Sequence, residues 1–236
     1  MKIAVIGSNT ASLVASACLA GAGNQVLSVC LDDDSPSSGS GDIPVEPGLH
    51  DAVETVVGRG YLKFTSDAAA AVRRSDLVIV AVDAPRCPDG SSDLSRVMGA
   101  SRVIGEVMKA SRDRDKVVVL QSSVPVGTTR TFARVLASYV DGGWAHVAFC
   151  PEFVRPGSAM VDFSSPDMVL IGSEDDSAKA ALVRLYRPFA DPSKFFVMDP
   201  ESAELMKYSP RSSMRMSYAM SNPFREPASG GASGAA

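Results

Sequence analysis

The first residues whose types and spacing could do chemistry form a turn near the start of the chain. Residues 7–12 read GSNTAS and follow a short apolar run. Folds that bind dinucleotides place G-x-G-x-x-G at such a turn, where bare backbone and a helix N-terminus receive a pyrophosphate. Gly7 matches this pattern, Asn9 tolerates a left-handed backbone better than most residues, and Ser12 is small. The turn alone fits two interpretations, a degenerate dinucleotide site and an ordinary strand-to-helix turn.

The elements that must position this turn alternate along the chain. Short, continuous apolar runs predict buried strands at residues 2–6, 25–31, 61–64, 77–82, 116–121, 146–149, 168–171 and 195–198. Stretches of helical composition lie between them, at residues 10–22, 48–58, 67–73, 94–111, 128–139 and 177–189. This alternation predicts an α/β fold of the Rossmann-like, doubly wound kind, with a mostly parallel sheet and helices on both of its faces.

Composition limits the partners and the compartment. The 236 residues carry a formal net charge of −4, which argues against a nucleic-acid or anionic-membrane partner, because either would need a basic face. The four cysteines fit no metal-ligand spacing, so we expect no metal site and a reducing compartment. No segment reads as a leader, and no apolar run has the length of a membrane span. We therefore expect a cytoplasmic protein.

Six short motifs occur in a fixed order further along the chain. They are EPGL at residues 46–49, LVIVAVDAP at 77–85, SSVPVGT at 122–128, PEFVR at 151–155, DFSSPDMVLIG at 162–172 and AELMKY at 203–208. Together these motifs resemble the UDP-glucose/GDP-mannose dehydrogenase family, and the resemblance covers residues 1–208. It implies NAD as the cofactor and a nucleotide sugar as the partner, whose C6 alcohol is oxidised twice to give a uronic acid.

The resemblance also implies roles for individual residues. Lys207 takes the place of a lysine that stabilises an oxyanion, and Glu152 that of a glutamate that works with water in thioester hydrolysis. Ser123 replaces a threonine that holds the catalytic water. On the cofactor side, the implied contacts are Gly7, Asn9, Ser12, Asp32, Pro85 and Ser122.

Several positions depart from the family pattern. The acidic residue expected to hold the adenosine ribose is Cys30, and Asp32 is two residues further on. Asp83 replaces a glycine, at a place where a carboxylate would repel a pyrophosphate. A second family glutamate is Pro156, and the asparagine four residues after the lysine is Arg211. These departures predict a weak or degenerate NAD site.

The family's domain plan gives a division of this chain. We expect an NAD-binding domain over residues 1–199, an incomplete central helix over 200–224 and a disordered, Gly/Ala/Ser-rich tail over 225–236. In the family, the central helix forms a dimer, and a C-terminal domain binds the nucleotide sugar and supplies a cysteine nucleophile. We therefore expect a truncated chain that is not catalytic alone.

Each feature also has a plainer interpretation, and two function classes remain open. Lys207 could be a solvated helix lysine, and Glu152 a surface turn residue. Cys150 could be a replacement nucleophile or a buried structural thiol. The chain is then either part of a nucleotide-sugar dehydrogenase, including one half of a split enzyme, or a non-catalytic nucleotide-binding or regulatory protein.

Overall fold

A computed structural model describes residues 1–30, 44–112, 115–140 and 145–208 of the chain. Its strands are β1 (Lys2–Ile6), β2 (Gln25–Val29), β3 (Leu62–Thr65), β4 (Leu77–Val80), β5 (Val117–Leu120), β6 (His146–Phe149), β7 (Val169–Gly172) and β8 (Phe195–Met198). Its helices are α1 (Thr10–Gly21), α2 (Leu49–Gly58), α3 (Ala68–Arg74), α4 (Ser95–Ser111), α5 (Thr128–Ala137), α6 (Ala159–Ser164), α7 (Asp176–Tyr186) and α8 (Pro200–Lys207).

The strands form one sheet of eight in the order β3-β2-β1-β4-β5-β6-β7-β8. All of its described pairings are parallel except that of β6 with β7, where Phe149 lies opposite Gly172. The chain order reverses between β1 and β4, and ligands of open α/β sheets bind at such a switch point. The predicted Rossmann-like fold class is confirmed.

Both faces of the sheet are covered, which explains the continuous apolar runs. In β1, Ile3 and Val5 belong to the apolar cluster under α1, α2 and α7. Ala4 and Ile6 belong to the cluster under α4, α5 and α8 on the other face. Since successive side chains of a strand point to opposite faces, a strand covered on both sides must be apolar throughout.

Helix α8 carries the predicted lysine, and its local sequence fixes where it begins. The Asp199 side chain accepts a hydrogen bond from the Ser202 amide (2.9 Å), and Pro200 occupies the first helical position. A Cβ atom at Gly172 would lie 2.6 Å from the Cβ of Ala203, so the absence of a side chain there lets α8 approach β7 closely. Lys207 is thereby held against the sheet.

The structure differs from the sequence-based expectations in a few places. Strand β2 ends at Val29, two residues before its predicted end. Helix α6 was not expected, because six residues are too few to show a helical period. The loop that contains Asp32, the residues 209–224 of the expected incomplete helix and the tail at 225–236 lie outside the described residues.

Candidate functional site

A cleft of about 430 Å³ lies at the carboxyl ends of the central strands. It is lined by Asn9, Ala11, Ala81, Val82, Asp83, Ala84, Pro85, Gln121, Ser122, Ser123 and Glu152. These residues follow β1, β4, β5 and β6, so the cleft opens beside the switch point of the sheet. Of the predicted site residues, the cleft therefore brings together Asn9, Pro85, Ser122, Ser123 and Glu152.

Gly7 makes the turn after β1 possible. A Cβ atom there would lie 2.4 Å from the carbonyl oxygen of Ala81, so only glycine fits between the two strands. The Gly7 amide donates to the Val29 carbonyl (3.0 Å), which ties the turn to β2 as well. The one glycine that matches the dinucleotide pattern is thus required by the packing of the sheet itself.

Asn9 closes the turn with its side chain. Its backbone is extended (φ −87°, ψ 170°), so the turn does not use the left-handed conformation that asparagine tolerates. The residue acts as the N-cap of α1, and its Oδ1 accepts from the Ser12 amide at 2.9 Å. The buried Ser12 hydroxyl donates back to the Asn9 carbonyl at 2.7 Å. Hydrogen bonds within the turn therefore occupy polar groups that a ligand would otherwise contact.

The second nitrogen of the cap reaches across the cleft. Asn9 Nδ2 donates to the Ala81 carbonyl (3.1 Å) and to Asp83 Oδ1 (2.8 Å). Asp83 is exposed and lines the cleft together with Glu152, while no lysine or arginine stands among the described residues of that lining. The cleft thus carries one exposed carboxylate, that of Asp83, beside the turn after β1.

Ser122 and Ser123 follow β5 at the opposite wall of the cleft. The buried Ser122 hydroxyl donates to the Val80 carbonyl at 3.3 Å, which links the ends of β4 and β5. Ser123 is exposed. Pro85 contributes to the neighbouring wall, where its carbonyl accepts from the Asp93 amide at 2.7 Å. Ser123 is therefore free to face a ligand, whereas Ser122 supports the wall.

Glu152 and Lys207 form a partly buried ion pair. The Lys207 ammonium donates to Glu152 Oε2 at 3.1 Å and to the Glu152 carbonyl, and it lies 4.9 Å from the centre of the Phe153 ring. The two side chains are only 16% and 18% exposed. Burial raises the pKa of Glu152, and the nearby lysine lowers it in part. Burial therefore favours the protonated form of Glu152, whereas the ammonium of Lys207 favours the charged form.

Cys150 lies two residues before Glu152 but is a structural thiol. Its side chain is 2% exposed, and burial raises the pKa of the thiol to about 12 in spite of a hydrogen bond with Tyr186. Nucleophilic cysteines react as thiolates, which burial in apolar surroundings disfavours. The structure therefore supports the buried-thiol interpretation against that of a replacement nucleophile.

Glu204 is a buried carboxylate, without a role predicted from the sequence, that holds one wall of the site. Glu204, fully buried on α8, accepts from the Gly127 amide (2.5 Å), the Thr129 amide (2.6 Å) and the Thr129 hydroxyl (2.6 Å). It caps α5, whose N-cap glycine has no side chain for this purpose. The only signal in the sequence is the position of Glu204 three residues before Lys207, which places both on successive turns of one helix.

Glu46 and Asp162 hold the loop that carries Glu152. Glu46 accepts from the amides of Gly157 (2.8 Å) and Ala159 (2.7 Å), which ties the start of α2 to the start of α6. Asp162 accepts from the guanidinium and the amide of Arg155 at 2.7–3.0 Å. Hydrogen bonding to Arg155 lowers the pKa of Asp162 to about 2. Both carboxylates lie within the six motifs, yet the sequence does not show their partners. Gly157 and Ala159 are far from Glu46 along the chain, and Arg155 meets Asp162 only after the chain has folded.

Comparison with known proteins identifies the domain. The family model described as "UDP-glucose/GDP-mannose dehydrogenase family, NAD binding domain" matches residues 1–190. The chain belongs to this family. It is 39% identical to UDP-glucose 6-dehydrogenase TuaD of Bacillus subtilis over 212 residues, which are 88% of this chain and 44% of that protein. It is 36% identical to UDP-glucose 6-dehydrogenase of Rhizobium meliloti over 230 residues, with 94% and 51% of the two chains covered.

Solved structures of related dehydrogenases share the fold. A UDP-glucose dehydrogenase from Pyrobaculum islandicum superposes with a TM-score of 0.79 at 36% identity, covering 87% of this chain and 48% of that one. A GDP-mannose dehydrogenase from Pseudomonas aeruginosa, solved as a ternary complex, gives a TM-score of 0.82 at 28% identity, covering 94% and 52%. The chain thus spans about half the length of the relatives it matches.

The residues of the cleft fit a dinucleotide, the kind of cofactor that the family model describes. Gly7 keeps the turn close to the sheet at the N-terminus of α1, and Asn9, Pro85, Ser122 and Gln121 line the cleft or its turn. These residues would hold NAD, which supplies hydride acceptance when bound. The exposed carboxylate of Asp83 lines the same cleft.

Within the described part of the chain, no helix has the length and apolar character of a membrane span. The same residues contain no group of side chains that could hold a metal ion.

Proposed function

We propose that this chain is the NAD-binding part of a nucleotide-sugar dehydrogenase and that these 236 residues alone do not oxidise a nucleotide sugar. The observation that carries the proposal is the state of Cys150. Oxidising an aldehyde by hydride transfer requires a tetrahedral adduct, and a thiolate is the nucleophile that would form one. Cys150 is buried and its pKa is raised to about 12, so in the described part of the chain this cysteine does not supply the pair of Glu152 and Lys207 with a thiolate.

NAD binding by this chain is weak in our proposal. Cys30 is buried at the end of β2 and offers no carboxylate to a ribose. A charge-assisted hydrogen bond of that kind contributes about 1.5–3 kcal/mol. The carboxylate of Asp83 would repel the pyrophosphate of NAD. Asn9 and Ser12 hydrogen-bond to each other, so these polar groups are not available to the cofactor. Asp32 remains a predicted ribose contact that lies outside the described residues.

A separate C-terminal half and a nucleotide sugar are the partners that we propose. Lys207 ends α8, and beside it Leu205 and Tyr208 are 61% and 56% exposed. Exposed apolar side chains beside this ion pair are typical of a surface that another protein segment covers.

The proposal also includes the domain division at residue 199 and a cytoplasmic location. The four cysteines, all within the described residues, form no disulfide, which supports a reducing compartment.

The second candidate is a non-catalytic nucleotide-binding or regulatory protein. The observation that favours it is the turn after β1, where Asn9 caps α1 and pairs with Asp83 instead of leaving bare backbone. A protein of this class would keep the fold and bind a nucleotide for a purpose other than hydride transfer. It would gain no activity from an added C-terminal half.

The production of NADH distinguishes these candidates. The chain is mixed with NAD and either UDP-glucose or GDP-mannose, with and without the separately expressed C-terminal half of a relative. We expect no turnover by the chain alone. Turnover after the half is added, and its loss in Lys207→Ala, would identify a split enzyme. Turnover by the chain alone that Cys150→Ser abolishes would overturn the proposal.

A further inference from the structure

Gln121 is a buried polar residue that none of the sequence motifs includes. It follows β5 directly, and its backbone N–H donates to the Val80 carbonyl at 2.8 Å, which fixes its backbone at the edge of the sheet. The residue is 2% exposed and lines the cleft between Ser122 and Glu152. A long amide side chain at such a place must find partners for both of its polar ends.

Only one of those ends has a partner. Gln121 Nε2 donates to the Tyr186 hydroxyl at 3.3 Å. The Tyr186 ring is buried, and its hydroxyl also contacts the Cys150 thiol, so this end of the amide is anchored in the core. Gln121 Oε1 is buried, yet it accepts no hydrogen bond within the described part of the chain. A buried acceptor without a donor is unfavourable, because it has lost water and gained nothing.

We propose that Gln121 Oε1 accepts a hydrogen bond from the carboxamide of a nicotinamide dinucleotide bound in the cleft. This inference rests on the proposed NAD binding. Dinucleotides bind along the switch-point edge of such sheets. The adenosine ribose is expected at the end of β2, and Gln121 follows β5, on the opposite side of the switch point. Gln121 therefore lies at the end of the cleft where the nicotinamide would bind. Gln121 Oε1 is a neutral acceptor and needs a donor that brings no charge into the buried site. The primary carboxamide of nicotinamide is neutral and carries such an N–H donor.

The test compares two dinucleotides that differ at this group alone. NAD carries a carboxamide, and 3-acetylpyridine adenine dinucleotide carries a methyl ketone in its place. Each is titrated calorimetrically into the full 236-residue chain, with ADP-ribose as a probe that lacks the pyridine ring. We expect the wild type to bind NAD about five to ten times more tightly than the acetyl analogue, since one neutral hydrogen bond is lost.

Two variants show whether Gln121 is the partner. Gln121→Met keeps the length of the side chain and removes the acceptor, so it should bind both dinucleotides with equal affinity. Gln121→Glu keeps an acceptor oxygen and should keep the preference for NAD. Equal affinity of the wild type for both dinucleotides would overturn the assignment and leave NAD binding standing. Failure of both dinucleotides and of ADP-ribose to bind would instead overturn the proposed function itself, and this assignment with it.

Discussion

Two regions at the same edge of the sheet use their polar side chains in opposite ways. In the turn of residues 7–12, Asn9 and Ser12 stand where the dinucleotide pattern has glycine, and they hydrogen-bond to each other. At the other wall, Glu152 and Lys207 form a partly buried ion pair. The turn satisfies its polar groups by itself, whereas the ion pair places two charged groups beside the cleft.

The two regions bear on two different properties of the chain, cofactor binding and catalysis. Side chains in the turn satisfy polar groups that a cofactor would otherwise contact, so a ligand there must compete with existing hydrogen bonds. Glu152 and Lys207 are within hydrogen-bond distance of each other. The buried carboxylates Glu46 and Glu204 accept hydrogen bonds from the surrounding loops and hold them in place. The weak NAD binding and the lack of catalysis that we propose would therefore have different physical causes in this chain.

The largest expected effect comes from removing the support under Lys207. Glu204→Ala leaves the Gly127 and Thr129 amides buried without their acceptor. Since hydrogen bonds to a charged group contribute about 1.5–3 kcal/mol each, we expect the free energy of unfolding to fall by about 3 kcal/mol. Urea denaturation measures this. Glu201 on the same helix is the control, because its side chain is 33% exposed and pairs with the exposed Arg130. Glu201→Ala should cost less than about 1 kcal/mol.

The next effect concerns the ion pair and depends on pH. In Lys207→Met, Glu152 loses the cation that lowers its pKa, so the pKa rises further. A folded-state carboxyl pKa above the unfolded value means that the native state binds more protons, and stability falls as pH rises through this range. We expect a loss of about 2 kcal/mol at pH 7 that shrinks towards pH 4. A loss that does not change between these pH values would contradict the buried pair.

A smaller effect is expected at Asp162, a carboxyl whose pKa is lowered instead of raised. Its pKa is lowered to about 2 by Arg155, so its contribution to stability is present above the unfolded pKa and disappears as pH falls towards 2. Asp162→Asn should cost about 1 kcal/mol at pH 7 and almost nothing at pH 2. Thermal unfolding of both proteins at the two pH values gives this difference, with the exposed Asp176→Asn as control.

The fold could be predicted from the sequence because burial on both faces leaves a direct mark. Continuous apolar runs such as residues 77–80 can only be strands of a covered sheet. The conformation of Asn9 could not be predicted, because the hydrogen bonds to Ala81 and Asp83 join residues more than 70 positions apart. The same holds for Glu204, whose partners are on α5. A helix capped by a remote residue has no local signature.

The smallest expected effect is at Asp83, and it measures the charge in the turn. Asp83→Asn removes the carboxylate and keeps an oxygen for the Asn9 amide. We expect NAD to bind about three times more tightly at low salt, and the gain to shrink at high ionic strength, because salt screens exposed charges. An unchanged affinity at low salt would show that this carboxylate does not face the cofactor.

The most direct test of the central claim is the affinity of the wild-type chain for NAD, compared with that of the double variant Asn9→Gly, Cys30→Asp. We expect weak binding by the wild type, with a dissociation constant above roughly 100 µM, and tighter binding by the variant, since a ribose acceptor and an open turn return. Calorimetric titration of both proteins measures the two affinities. Low-micromolar affinity in the wild type, with no gain in the variant, would contradict the proposed weak NAD site.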